Sequence, residues 1–217
     1  IESGPSAGVN GAAIVAKLYE EDNVIYLDIG GTTAKCSVIE NAQPKVTTEY
    51  KLESSRLNSG YPIKVPVVDI VEIGTGGGSI AWVDSAGNLK VGPSSAGSPP
   101  GPASYNRGGT QPTVTDAKLI TGVLDPNYFS GGRIKLDVTK AHLAMESISK
   151  ILSCSIENAA VAVIQIADAD MINALKLVSI QRGYDPRDFV LLVGGGGGAM
   201  HAATLGRELG VRKTIIP

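Results

Sequence analysis

Five successive glycines, Gly194–Gly198, separate the apolar run "DFVLLV" from the Ala-rich "AMHAATLGREL". Inside a helix or a strand each glycine costs roughly 0.5–1 kcal/mol relative to alanine, so no regular element absorbs five in a row. The run therefore reads as a turn from strand to helix, and "KTIIP" beyond the helix completes a βαβ unit with a parallel strand pair. Two more clusters occur in "YLDIGGTTAKCSVI" (26–39) and "IGTGGGSIA" (73–81). Glycine makes up 27 of 217 residues, well above the usual share of about 7%, and the clusters hold much of the excess.

The remaining elements arrange themselves around these turns. Residues 6–20 are Ala-rich and follow Gly4-Pro5, which suits a helix entry. "NVIYLDI" (23–29) is rich in β-branched residues and predicts a strand, with "AKCSVIE" (34–40) as its hairpin partner and "PKVTTEYKL" (44–52) as a third antiparallel strand. "SIAWV" and "NLKVG" predict a hairpin across Asp84–Asn88, with Gly87 supplying positive φ. Residues 92–112, "GPSSAGSPPGPASYNRGGTQP", form no element; Tyr105 and Arg107 within uncharged, Pro-rich text predict an ordered loop packed on the body. Helices are expected over 113–124 (Thr115 as N-cap), 136–152 (Asp137 near the cap) and 155–183 (Ser155 and Asn158 among the caps, Gly183 as the stop). In the longest, Ala160, Val163, Ile164, Ala167, Met171, Ala174, Leu175 and Val178 form one apolar stripe. Early antiparallel strands followed by helices and a late βαβ predict an α/β domain on a mixed sheet, one domain over 1–217.

Composition excludes several classes. A net charge of -2 without any basic block argues against nucleic acid or an anionic membrane surface as partner. No apolar run approaches the ~20 residues of a membrane span, and no signal peptide is seen. Two distant cysteines, Cys36 and Cys154, lack metal-ligand spacing and fit a reduced, cytoplasmic protein. The opening at Ile1 and the ending on a strand-like "VRKTIIP" are expected of a piece of a longer chain.

Two accounts fit the first cluster equally well on its own. In one, Gly30 and Gly31 let the backbone approach a phosphate, Thr32 and Thr33 add hydroxyls, and Asp28 holds a magnesium ion through water. In the other, the same residues make an ordinary hairpin turn. The third cluster fits G-x-G-x-x-A through Gly194, Gly196 and Ala199, but a dinucleotide-binding turn needs an acid at the end of the next strand, and "KTIIP" has none. The layout favours one loop for phosphates and one for adenosine, as in half of an actin-like nucleotide clamp.

At this point the chain resembles the hydantoinase A / 5-oxoprolinase A family, through "IESGPSAGV", "DIGGTTAKCSVI", "VVDIVEIGTGGGSIAWVD", "LKVGPSSAGSPPGPASY", "PTVTDAKLITGVL" and "GYDPRDFVLLVGGGGGAMHAATLGRELGV". The resemblance implies an actin-like ATPase (ribonuclease H-like) lobe. It implies ATP and Mg2+ as cofactors, a small cyclic amide as substrate, a hydantoinase B-like companion subunit, and an N-terminal lobe with another phosphate loop. Relatives of this kind phosphorylate an amide carbonyl to drive ring opening, or carboxylate a ketone. Carried onto this chain, the resemblance makes Asp28 the metal residue and Gly30, Gly31, Thr32 and Thr33 the phosphate cradle. Gly194, Gly195, Gly196 and Gly197 then lie beside adenosine, and the second glycine cluster (73–81) with Asp69, together with Asp116, falls on the substrate side. Two departures stand out: Lys35 where relatives carry an acid, able to pair with phosphate or to face solvent, and "GGGGGAMHA" in place of "GGAGPLHA". His201 reads as a helix-packing residue, Asp168 and Asp170 as a solvated helix face, and Cys36 as a small buried apolar residue.

Overall fold

A computed structural model describes residues 3–52 and 59–217. Helix α1 (Ser3–Leu18) precedes strand β1 (Val24–Ile29), which turns back into β2 (Ala34–Glu40) with Asp28 opposite Lys35 and Ile29 opposite Ala34. The third strand expected over 44–52 is far shorter. Strand β3 is Gln43–Pro44 alone, because Pro44 has no N–H to continue the ladder and Val46 beyond it is 58% exposed, with no face to bury. The chain leaves in two-residue ladders, β4 (Val46–Thr47) and β5 (Lys51–Leu52), answered by β6 (Tyr61–Pro62) and β7 (Val67–Val68). Strand β8 (Val71–Ile73) takes the remaining edge of β2, placing Val71 opposite Cys36 and Ile73 opposite Ala34.

The hairpin β9 (Ser79–Val83) and β10 (Leu89–Ser95) forms where expected: Asp84 accepts from the amides of Ala86 and Asn88, and Gly87 sits at φ +83°. The loop that follows is packed, with residues 101–104 buried and Arg107 exposed. Helix α2 (Val114–Ile120) is capped by Thr113 rather than Thr115, through a reciprocal box with Asp116. Helix α3 (Val138–Leu152) is capped by Asp137 and α4 (Ile156–Val178) by Ser155; one tight turn then leads to Gly183 at φ +84°.

Strand β11 (Val190–Gly194), helix α5 (Ala202–Leu209) and strand β12 (Lys213–Ile215) make the late βαβ unit. Its strands complete a mixed sheet ordered β12-β11-β1-β2-β3, in which β11 runs parallel to β1 with Gly194 opposite Asp28. Ile25, Leu27, Leu191 and Val193 face α4 and α5, while Val24, Tyr26, Val190 and Leu192 face Val9, Ala12, Ala13 and Ala16 of α1. Burial on both faces explains the near-continuous apolar runs of β1 and β11. Each such fully buried aliphatic side chain contributes roughly 1.5–3 kcal/mol. A separate core joins α2, α3 and the first half of α4 to the β9–β10 hairpin. No helix among the described residues is long and apolar enough to cross a membrane.

Candidate anion-binding cleft

The parallel pairing of β1 and β11 brings the ends of both strands together, so the turns that follow them are neighbours. The amide of Gly197 donates to the Ile29 carbonyl at 2.8 Å, tying the late glycine turn to the early one. The second cluster joins them: the amides of Gly77 and Gly78 donate to the carbonyls of Gly30 (3.0 Å) and Gly31 (2.5 Å). Side chains are excluded by this closeness. A Cβ at Gly76 would stand 2.7 Å from the Gly30 carbonyl oxygen, and one at Gly78 2.9 Å from that of Gly31. All three clusters thus meet in one cleft of about 230 Å³, lined by Gly30, Gly31, Gly77, Gly78, Gly196 and Gly197, with Tyr105, Phe129 and Met200 as its apolar wall. The sequence offers the second cluster either as a bent loop or as a second anion-facing backbone, and the structure places it on the cleft; Phe129 and Met200 of the wall carry no such signal.

The cleft is suited to an anion. No acidic side chain lines it. The amides of Gly31, Thr32, Thr33 and Gly196 have no acceptor among the described residues; Gly31 and Gly196 line the cleft, whereas Thr32 and Thr33 are not among its lining residues. The Thr33 hydroxyl accepts from Lys35 Nζ at 3.1 Å, and that ammonium pairs with Glu72 at 2.7 Å, so Lys35 is committed to β8 rather than to solvent. Asp28 lies one residue behind the cleft on the α1 face of the sheet, half-buried, with no hydrogen-bond or ion-pair partner among the described residues. Gly194 and Gly195 do not line the cleft. They let the strand end pass over Tyr26 and Asp28, where a side chain at Gly195 (φ +78°) would collide with the Asp28 carboxylate. Burial, then the Asp28 charge, pushes the Tyr26 hydroxyl up to about 12. No group of three or more metal-ligating side chains occurs among the described residues.

Two expected site residues are placed elsewhere. Asp116 is fully buried, its oxygens accepting from the amides of Ala103, Ser104 and Thr113 and from the Thr113 hydroxyl. It anchors the loop beneath Tyr105 and faces no cleft. Asp69 is bound by the Arg182 guanidinium, and its carbonyl accepts from Ser37, several residues along β2 from the turn. Neither aspartate of α4 is solvated as expected. Asp168 is 7% exposed and meets Nδ1 of the fully buried His201 at 2.5 Å, and Asp170 accepts from the Thr75 hydroxyl at 3.3 Å. His201 does pack against the helix, as the sequence predicts, with Nε2 unpartnered. Lys118, 3% exposed, donates from Nζ to the Met200 carbonyl at 2.7 Å. Cys36 is buried, and desolvation pushes its thiol up to about 12.

Fold and site together define a mixed α/β lobe with a glycine-lined cleft at the carboxyl ends of parallel strands. The chain belongs to the hydantoinase/oxoprolinase family, whose model matches residues 1–217. It superposes on the ATP-dependent caprolactamase of Pseudomonas jessenii with a TM-score of 0.88 at 38% identity, over 100% of this chain and 31% of that one. A nucleotide-free structure of acetone carboxylase, from a description of ATP-dependent acetone carboxylation, gives 0.89 at 30% identity, over 99% and 30%. The acetophenone carboxylase gamma subunit of Aromatoleum aromaticum is 40% identical over 205 residues, covering 93% of this chain and 27% of that subunit. The chain therefore spans less than a third of the length of these relatives.

Proposed function

We propose that this chain forms the phosphate-holding lobe of an ATP-dependent enzyme that opens a cyclic amide by phosphorylating its carbonyl oxygen. The observation that carries this reading is the convergence of three glycine turns, from residues 30–31, 77–78 and 196–197, on one cleft without acidic side chains. The similarity to an ATP-dependent caprolactamase supports the substrate class. An amide carbonyl is a poor electrophile, and bound ATP supplies the phosphoryl group that turns its oxygen into a leaving group. The chain's own part is positioning. The free amides of Gly31 and Gly196 hold phosphate oxygens, and Tyr105, Phe129 and Met200 shield the cleft from water. Asp28, whose carboxylate has no partner among the described residues, fits the hydration shell of a magnesium ion rather than direct ligation. A companion subunit of the hydantoinase B kind and a second lobe complete the enzyme in this reading.

The test is MgATP binding by the full-length protein, followed by ATP hydrolysis on addition of lactams and hydantoins with the companion subunit. Binding that Asp28→Ala weakens at least tenfold, with amide-stimulated ATPase, supports the reading; absence of MgATP binding removes it. The likeness to acetone and acetophenone carboxylases favours a second reading, ATP-dependent carboxylation of a ketone. ATP turnover that requires bicarbonate and a ketone, and ignores amides, selects it.

A further inference from the structure

One seven-residue helix holds three walls of the cleft. Thr115 of α2 donates its amide and its hydroxyl to the Gly77 carbonyl, both at 2.8 Å, and so fixes the second glycine turn. Asp116 fixes the loop under Tyr105 through the amides of Ala103 (3.2 Å) and Ser104 (2.8 Å). Lys118 fixes the third turn at its far end, through the Met200 carbonyl at 2.7 Å. Residues 115 and 118 are three apart and share a helix face, so two turns more than a hundred residues apart in sequence are gauged against a single rigid element.

A lysine is an unexpected choice for this task. Lys118 is 3% exposed, and burial pulls its ammonium below the ordinary lysine range while the Asp168 charge opposes that shift. Replacing a buried ion pair as a unit by apolar residues of similar volume is often neutral or stabilising, whereas removing one partner alone is destabilising. Packing alone therefore does not call for a cation here. The charge does have a geometric consequence: it holds the carbonyl of Met200, a cleft-lining residue, next to His201, which Asp168 clamps from the other side.

We infer that α2 is the spacer that sets the second and third glycine turns at the separation a nucleotide needs, and that Lys118 is a positioning residue for the third turn. The inference rests on the nucleotide reading above. Its structural half is tested without nucleotide, by amide hydrogen exchange in the full-length protein. In Lys118→Met, the bonded amides of Gly197, Gly198, Met200 and His201 are expected to exchange at least tenfold faster than in the wild type, while those of residues 24–29 are unchanged. A lower melting temperature accompanies this, because the Met200 carbonyl loses its donor. In Thr115→Val the faster exchange is expected at 76–78 instead. Where wild type binds MgATP, Lys118→Met is expected to bind about tenfold more weakly, the loss of one charge-assisted hydrogen bond. Lys118→Gln, which keeps a donor without the charge, serves if the methionine variant does not fold. Unchanged exchange at residues 197–201 overturns the inference, as does an equal rise at residues 24–29, which marks a merely structural lysine. Failure of wild type to bind MgATP sinks the functional reading and this role with it; equal MgATP affinity in wild type and Lys118→Met sinks only the role.

Discussion

The front and the back of the cleft walls are built on opposite principles. In front, toward the cleft, Gly30, Gly31, Gly77, Gly78, Gly196 and Gly197 present backbone with no charged side chain among the lining residues. Behind it, Lys118, Asp168, His201 and Asp116 are all less than a tenth exposed and are bonded to backbone or to one another. Charge in this lobe sets the shape of the turns, and the turns' own amides are left to meet the ligand. The glycines divide along the same line. At Gly31 and Gly196, which line the cleft, nothing lies within 4 Å of where a Cβ would stand, whereas Gly195, which does not line it, is pressed against Asp28 and Ile29.

The largest expected effect breaks the back. Asp116→Ala leaves the buried amides of Ala103, Ser104 and Thr113 without an acceptor and should cost about 4 kcal/mol, enough to approach unfolding in denaturant titration. Gly195→Ala comes next. It combines a positive φ with a collision against Asp28 and Ile29 and should cost about 2–3 kcal/mol. The same substitution at Gly31 sharpens the comparison: stability should stay within about 0.5 kcal/mol, while MgATP affinity in a calorimetric titration falls about tenfold. A stability loss at Gly31 matching that at Gly195 would erase the distinction between front and back.

The smallest effect is electrostatic. Burial raises the Asp170 carboxyl above its ordinary 3.8, against the opposing Thr75 hydrogen bond. The folded state then binds this proton more tightly than the unfolded state, so stability falls as pH rises through the window above 3.8. Asp170→Asn should therefore be slightly more stable than wild type at pH 7, with the difference vanishing in thermal melts below about pH 4.

Much of the frame was legible in the sequence, because local chemistry decided it. β-Branched runs gave β1, β2 and β11, and Asp137 and Ser155 marked helix starts that the structure keeps. The helix expected to run to Gly183 ends at Val178, and Gly183 closes the short turn beyond it. Where long-range contacts decided, the sequence misled. The partner filling the edge of β2 is Val71–Ile73, not residues 44–52, since Pro44 ends the nearer ladder. Thr113 and Thr115 are chemically alike, and only the bond from Thr115 to Gly77 tells the cap from the residue that reaches the cleft. Asp168 and Asp170 read as solvated because a lone helix has an outside; α4 is packed by α5 where Asp168 lies and by the second glycine turn near Asp170. The meeting of the first and last glycine turns was expected from the layout of an actin-like clamp; the middle cluster read equally as a bent loop or as a second anion-facing backbone, and only its contacts with Gly30 and Gly31 decide.

The central claim is that three distant glycine turns act as one receptor for phosphate. Backbone amide NMR during MgATP titration tests it most directly. The account expects Gly30, Gly31, Gly77, Gly78, Gly196 and Gly197 to shift together along one binding curve. Shifts confined to a single turn, or gathered in the outer groove between α4 and α5, would contradict it.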